Sequence, residues 1–306
     1  MGGHLSTHVE TPRTTVLVVG GTGRTGAHLV HRLCADPSFQ VIVLARDAAK
    51  AAVLQETSWP APVRVIEGDL GDVDAWASHL AGVDQVVTAV SCGVRTFSDP
   101  LGVLGVTRPP ANMPQRIDGE GIGRLCDAAA AHGVRRVVAV TTASAGTPWS
   151  APAVFLNAIA AGSVKWKFAG EQAIRRSGLD YVIVRPFGLL DTAPLGGDTG
   201  LGVEHSQGKT DGARKRIPRA DVAALCHEAL RQPAGTRTSF ECWATDAHAR
   251  RLPWARLRAE PPGSVADVDH DAAVAVAAAV LVGAGGLAVA GLGRGGRALL
   301  RLLRNR

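Results

Sequence analysis

Aromatic residues are scarce, at 4% of the 306 residues, and the chain has one tyrosine, Tyr181. A core built on rings is therefore excluded. With 46% hydrophobic residues, the interior must be assembled mainly from Val, Leu, Ile and Ala, which suits a parallel sheet buried on both faces. The cysteines, at 34, 92, 126, 226 and 242, are odd in number and never in a C-x-x-C spacing. That excludes a disulfide framework and leaves no zinc or other metal site to expect. Cys34, Cys126 and Cys226 fall among the apolar positions of helical patterns, where a thiol serves as a small buried hydrophobe. A reducing compartment, the cytoplasm, is expected. Residues 1–13 are polar and lack the apolar run of a secretory signal, so export is not expected.

Excess charge is also largely absent from the body of the chain. The formal net charge is +6, but Arg294, Arg297, Arg301, Arg304 and Arg306 contribute five of it, leaving +1. No basic face for nucleic acid follows.

What is present is a regular alternation of apolar runs and helical patterns. TTVLVV (14–19), QVIVLAR (40–46), VRVIEGD (63–69), DQVVTAVS (84–91), RRVVAVTT (135–142) and DYVIVRP (180–186) read as six buried strands. Ala27, Leu29, Val30 and Leu33 form the inward face of the first helix, and Gly133 stops the helix before the fifth strand. Short aliphatic strands separated by helices define βαβ units, and right-handed crossovers make the fold α/β, a doubly wound, Rossmann-like parallel sheet. We expect a polar lead (1–13), one nucleotide-binding domain (14–250), a linker (251–271) and a C-terminal extension (272–306). Two long segments, 92–114 and 191–218, follow the fourth and sixth strands and would hang over the carboxyl edge, where such sheets bind ligands. His205 and Lys209 in the second segment are weaker candidates for substrate contact.

Between the first strand and helix stands VVGGTGRTGAHLV, with Gly20, Gly23 and Gly26 at three-residue spacing. Glycine lets the backbone turn sharply, approach a pyrophosphate and pack the helix against the strand. The helix amino terminus then offers N–H groups to the phosphates. Gly20, Gly21, Thr22, Gly23, Arg24, Thr25 and Gly26 are thus candidate phosphate contacts. An acid closing the second strand would favour NAD, and an arginine NADP. Here Arg46 is followed by Asp47, and Arg24 lies in the loop, so NADP is expected over NAD.

These motifs, together with EGDLGD (67–72), IDGEGIGRLCDAAAAHGVRRVVAVTT (117–142), KFAGEQAIRRSGLDYVIVRPFGLL (167–190) and IPRADVAAL (217–225), resemble the atypical and extended short-chain dehydrogenase/reductases. The likeness is to the NAD(P)H-binding group related to NmrA-like proteins and flavin or biliverdin reductases, over roughly residues 14–245. The resemblance implies that Asp69 and Leu70 lie by the adenine, Ala89, Val90 and Ser91 along the ribose and nicotinamide, and Pro186 behind the nicotinamide. It also implies Lys167 on the ribose, with Thr141 or Thr142 as the hydroxyl partner.

In the wider superfamily a tyrosine, separated from that lysine by three residues, passes a proton to or from the substrate oxygen. Lys167 and Glu171 keep their spacing, which places Ser163 at the tyrosine position. Tyr181 belongs to the sixth strand and cannot stand in. A serine hydroxyl is far too weak an acid to replace a phenol. The expected activity is therefore NADP(H)-dependent reduction of a small conjugated acceptor, a quinone, flavin or related carbonyl. The alternative is a non-catalytic NADP(H)-binding redox sensor or assembly factor with a protein partner. An epimerase or dehydratase, which needs the tyrosine most, ranks last.

Residues 272–293 carry no charge, and as a helix would span about 33 Å. Nine Ala and five Gly among them make insertion marginal. Two readings stay open: membrane association, peripheral or tail-anchored, through 272–306, or a buried helix or oligomer contact.

Overall fold

The computed structural model describes residues 13–92, 113–194, 199–204, 215–248, 254, 257 and 259–276. Its centre is an eight-stranded sheet in the order β3-β2-β1-β4-β5-β6-β10-β8. The strands are β1 (Thr14–Val19), β2 (Phe39–Ala45), β3 (Arg64–Glu67), β4 (Gln85–Thr88), β5 (Arg136–Val140), β6 (Asp180–Pro186), β8 (Thr199–Glu204) and β10 (Arg237–His248). All pairings are parallel except that of β8 with β10. A separate parallel pair joins β7 (Gly188–Leu190) to β9 (Arg216–Pro218).

Alternation along β1 shows why this sheet is doubly covered. Val16 and Val18 enter one core with Val43, Val138, Val182 and Phe240, while Leu17 and Val19 enter the other with Val86, Val137 and Ile183. The first core is roofed by helices α1 (Arg24–Cys34) and α6 (Arg219–Leu230). The second is roofed by α3 (Ile122–Ala131) and α5 (Ser163–Arg176), with Trp76 filling its edge. Leu29, Val30 and Leu33 of α1 are buried as the sequence pattern predicts, and Ala27 is only half-buried. Each fully buried Leu or Val contributes about 1.5–3 kcal/mol. Two shorter helices, α2 (Ala48–Thr57) and α4 (Ala151–Ile159), complete the layers.

Three features depart from the sequence expectation. The helix ending before Gly133, which has φ +77°, begins with a π-helical turn over Gln115–Gly121. The segment 191–218, expected as irregular, contains β8 and β9. Within the stretch read as a linker, Glu260 and Asp267 fasten to Arg175 and Gln172 of α5, at 3.0 and 2.5 Å, and Lys165 pairs with Asp271.

Residues 93–112, which make up most of the first long segment, lie outside the described residues, as do His205 and Lys209. Residues 270–276 are helical, and the remainder of the tail, 277–306, lies outside the description. Among the described residues no helix is long and apolar enough to cross a membrane.

Candidate functional site

The strand order reverses between β1 and β4, and a crevice opens there at the carboxyl ends. Its floor is the glycine turn. Gly20 has φ +86°, a conformation that L side chains rarely adopt. A Cβ on Gly26 would stand 2.1 Å from the Gly20 carbonyl oxygen, and one on Gly21 would stand 2.8 Å from Val43. Gly23 caps α1 with no side-chain hydrogen bond, so the N–H groups of the first turn face the crevice uncapped. The cradle fits a pyrophosphate because every position where a side chain would intrude is glycine.

Above the turn lies a cleft of about 360 Å³ lined by Gly20, Thr22, Gly23, Arg46, Asp69 and Ser91, among others. Of the expected cofactor residues, Leu70, Ala89 and Val90 also line it. Thr25 and Gly26 are buried in the first turn of α1.

At the outer rim Arg46 stands 3.9 Å from the Asp69 carboxylate. Asp47 does not face the cleft chemistry: its side chain caps α2 by accepting the Lys50 backbone N–H at 2.9 Å. Lys50 lines the cleft together with Arg46, a second cation that the sequence reading missed. The Asp-x-x-Lys spacing at the start of α2 was the available signal.

Arg24, expected on the phosphates, is differently engaged. Its Nη1 donates to Asp191 Oδ2 at 2.7 Å, and the other oxygen of Asp191 accepts from Arg219 Nη1 at 2.6 Å. Asp191 follows β7 directly and so ties the second long segment to the glycine loop.

The missing tyrosine matters just beside the cleft, past Val90. Lys167 Nζ donates to Asp118 Oδ1 at 2.7 Å and to the Val90 carbonyl at 3.2 Å. Neither lines the cleft itself; both line a small adjoining hollow of about 10 Å³ with Thr88 and Thr141, which shares Val90 with the cleft. Cys92 lies beside them, its thiol pushed up to about 12 by burial and then by the Asp118 carboxylate.

Thr141 is not free to serve as an acid, because its hydroxyl donates to Glu171 Oε1 at 2.6 Å. Glu171 is fully buried and bonded by Arg185 at 3.0 and 2.5 Å and by Arg175 at 3.3 Å. Burial alone would raise its carboxyl, but the Arg185 guanidinium outweighs that and holds it below the ordinary value. Thr142 is half-buried and gives its carbonyl to Ala145 N–H. Ser163 opens α5 and lines neither space. Pro186 is buried at the end of β6, also outside both linings.

Beyond it, Phe187 and Trp243 meet edge to face with centroids 5.8 Å apart, and Lys215 Nζ lies 3.5 Å from the Trp243 centroid. This aromatic pair was not anticipated, since residues 187 and 243 meet only through the pairing of β6 with β10. Among the described residues no cluster of His, Cys, Asp and Glu could hold a metal ion.

A Rossmann-like sheet with a glycine cradle at its switch point defines a dinucleotide-binding protein. Residues 20–233 match the NAD(P)H-binding family, and the chain belongs to that family. An uncharacterized chloroplastic protein of Arabidopsis thaliana is 31% identical over 231 residues, 74% of this chain and 68% of that one. Sanguinarine reductase of Eschscholzia californica is 26% identical over 243 residues, covering 71% and 84%. In fold, the chain is similar to an anaerobilin reductase of Escherichia coli O157:H7, with a TM-score of 0.56 at 24% identity, covering 75% and 97%.

Proposed function

We propose that the protein uses NADPH to reduce a small conjugated acceptor, such as a quinone, a flavin or a related carbonyl compound, without an active-site phenol. The observation that carries this reading is the chemistry in the hollow that adjoins the cleft at Val90: an ammonium, Lys167, held by Asp118 and Val90. A reductase with this equipment needs an acceptor that tolerates hydride addition before protonation, because conjugation spreads the charge that hydride brings. Two relatives are named reductases, which supports the reaction class.

NADPH, when bound, supplies the hydride. The residues of this chain do the rest. The glycine turn and first turn of α1 would hold the pyrophosphate. Arg46 and Lys50 offer two positive charges to a 2'-phosphate, while Asp47, the acid that would have favoured NADH, is committed to the α2 cap. Asp69 and Leu70 would line the adenine, and Ala89 to Ser91 the ribose. Lys167 would place its positive charge between the ribose and the acceptor. The free cysteines, several of them buried, suit a reducing compartment such as the cytoplasm.

The second reading is an NADP(H)-binding redox sensor or assembly factor, favoured by the placement of the only tyrosine away from the cleft. A fluorescence titration of the full chain with NADPH and NADH, followed by a turnover screen against quinones and flavins, tests both. Tight NADPH binding with turnover supports the reductase; tight binding with no turnover on any acceptor supports the sensor; binding of neither nucleotide refutes both.

A further inference from the structure

We propose that Asp118 is a positioning residue that holds Lys167 as the proton source for the reduced acceptor, replacing the missing phenol. This rests on the reductase reading above. Three observations converge on Asp118. It sits in the π-helical turn Gln115–Gly121, a geometry with poorer hydrogen bonding than an α-helix that recurs at functional sites. The turn is also pinned from outside. A Cβ at Gly170 would stand 2.2 Å from the Asp118 carbonyl oxygen, and one at Gly119 would stand 2.9 Å from the Trp166 ring, so α5 can approach this closely only because both positions are glycine.

The carboxylate itself is unusual. Its side chain is 3% exposed; Oδ1 accepts from Lys167, and Oδ2 has no full hydrogen-bond partner among the described residues, the neighbouring Cys92 thiol being only a weak donor to the carboxylate. A buried carboxylate with one oxygen unsatisfied is a costly way to pack a helix, and an apolar side chain would pack it better. Its use is explained if the charge serves Lys167.

An ammonium has three N–H donors, of which Lys167 spends two on Asp118 and Val90. Ordinary ammonium and phenol groups both lose a proton near pH 10, so an ammonium matches a tyrosine in acid strength where Ser163 cannot. Once the acceptor has taken a hydride from bound NADPH, the negative charge collects on its oxygen. The third Nζ–H bond of Lys167 then breaks and an O–H bond forms on the acceptor. The neutral amine stays hydrogen-bonded to Asp118 until it takes a proton from water. Among the described residues, the other charged or titratable groups around Lys167 are Cys92, Arg46 beyond it just past the end of β2, and Glu171, which is committed to Arg185 and Arg175.

The test uses the full chain with Asp118→Asn and Asp118→Glu. Acylation of Lys167 by an amine reagent at one fixed pH, read by mass spectrometry without nucleotide, should be several-fold faster in Asp118→Asn, because the counter-charge is gone. Turnover with NADPH and a quinone should show kcat down by about 10- to 100-fold, KM for NADPH within about twofold, and the alkaline limit of the pH profile moved to lower pH. Asp118→Glu keeps the charge but displaces it, so the pH limit should hold while kcat falls. Unchanged acylation of Lys167, or an unmoved alkaline limit in Asp118→Asn, overturns the proposal. If Asp118→Asn does not fold, a wild-type kcat in Asp118→Glu overturns it instead. Absence of turnover in the wild type sinks the reductase reading and the proton role together, whereas the acylation result reports on the ion pair alone.

Discussion

The Tyr181 hydroxyl donates to Glu260 Oε2 at 2.9 Å, at the amino end of β6, on the opposite edge of the sheet from Lys167. The only phenol in the chain is thus part of a buried network with Glu260, Ser239 and Arg175. Burial, and then the Glu260 carboxylate, push it well above the ordinary tyrosine value. Tyr181→Phe should therefore leave NADPH turnover within about twofold while costing about 1.5–3 kcal/mol of stability, the contribution of a hydrogen bond to a charged partner. Urea unfolding beside a turnover assay checks both halves. Loss of turnover at unchanged stability would show that the phenol takes part in the chemistry.

Arg46 offers the clearest control of cofactor choice. Its guanidinium lines the cleft, and the acid that faces it, Asp69, is 3.9 Å away, leaving it available to a phosphate. A charge-assisted hydrogen bond is worth about 1.5–3 kcal/mol, so Arg46→Ala should weaken NADPH binding by about 10- to 100-fold and leave NADH nearly unchanged. Lys50→Ala should act in the same direction with a smaller effect. Fluorescence titration with both nucleotides reads the ratio directly. Equal weakening of both would move Arg46 from the 2'-phosphate to a shared part of the cofactor.

The Glu171 network predicts how stability depends on pH. Burial would raise both Glu171 and Glu260, but Arg185 beside the first and Arg175 beside the second outweigh it and hold both below the ordinary 4.5. Such carboxylates bind fewer protons folded than unfolded. Their contribution is complete above the unfolded value and is lost as pH falls through the folded ones. The Tm should accordingly be flat near neutrality and fall below about pH 5. Arg185→Met leaves Glu171 buried without its main partner, which should cost about 3–5 kcal/mol and flatten the acid slope. A Tm series against pH for wild type and variant tests it; parallel slopes would mean that Glu171 is not held low by Arg185.

How much of this was legible in the sequence depends on whether the cause was local. The bounds of β1 and β6 match the aliphatic runs, because a strand buried on both faces needs an unbroken run of apolar side chains. Gly133 was legible because its positive φ is a local demand. β10 was not, since RTSFECWATDAH looks polar: Ser239 and Glu241 are buried, and Ser239 is satisfied by Glu260 and Arg175, which are remote in sequence. The same holds at the site. The glycine turn announces itself, whereas the tie of Arg24 to Asp191 and of Lys167 to Asp118 crosses 167 and 49 positions. RIDGEG gives no sign of a π turn either, since what shapes it is the approach of Gly170 on another helix.

The tie between Arg24 and Asp191 yields the last prediction. Arg24 is 71% exposed and Asp191 56%, so the pair contributes little to folding, about 0–1 kcal/mol. Its consequence lies in competition: a pyrophosphate entering at the amino end of α1 and the Asp191 carboxylate both attract the same guanidinium. Asp191→Asn keeps the shape and removes one competitor. It also removes a negative charge from Arg219, which Asp191 otherwise bridges at 2.6 Å. NADPH and NADH should both bind tighter by a few-fold, within about 1 kcal/mol, because the gain is at the shared pyrophosphate. Binding should also weaken more steeply with added salt, since screening acts on exposed charges. Titration of both nucleotides at two salt concentrations measures this. Weaker binding in Asp191→Asn would mean that the bridge helps to shape the phosphate site, with Asp191 holding Arg24 in place for the cofactor.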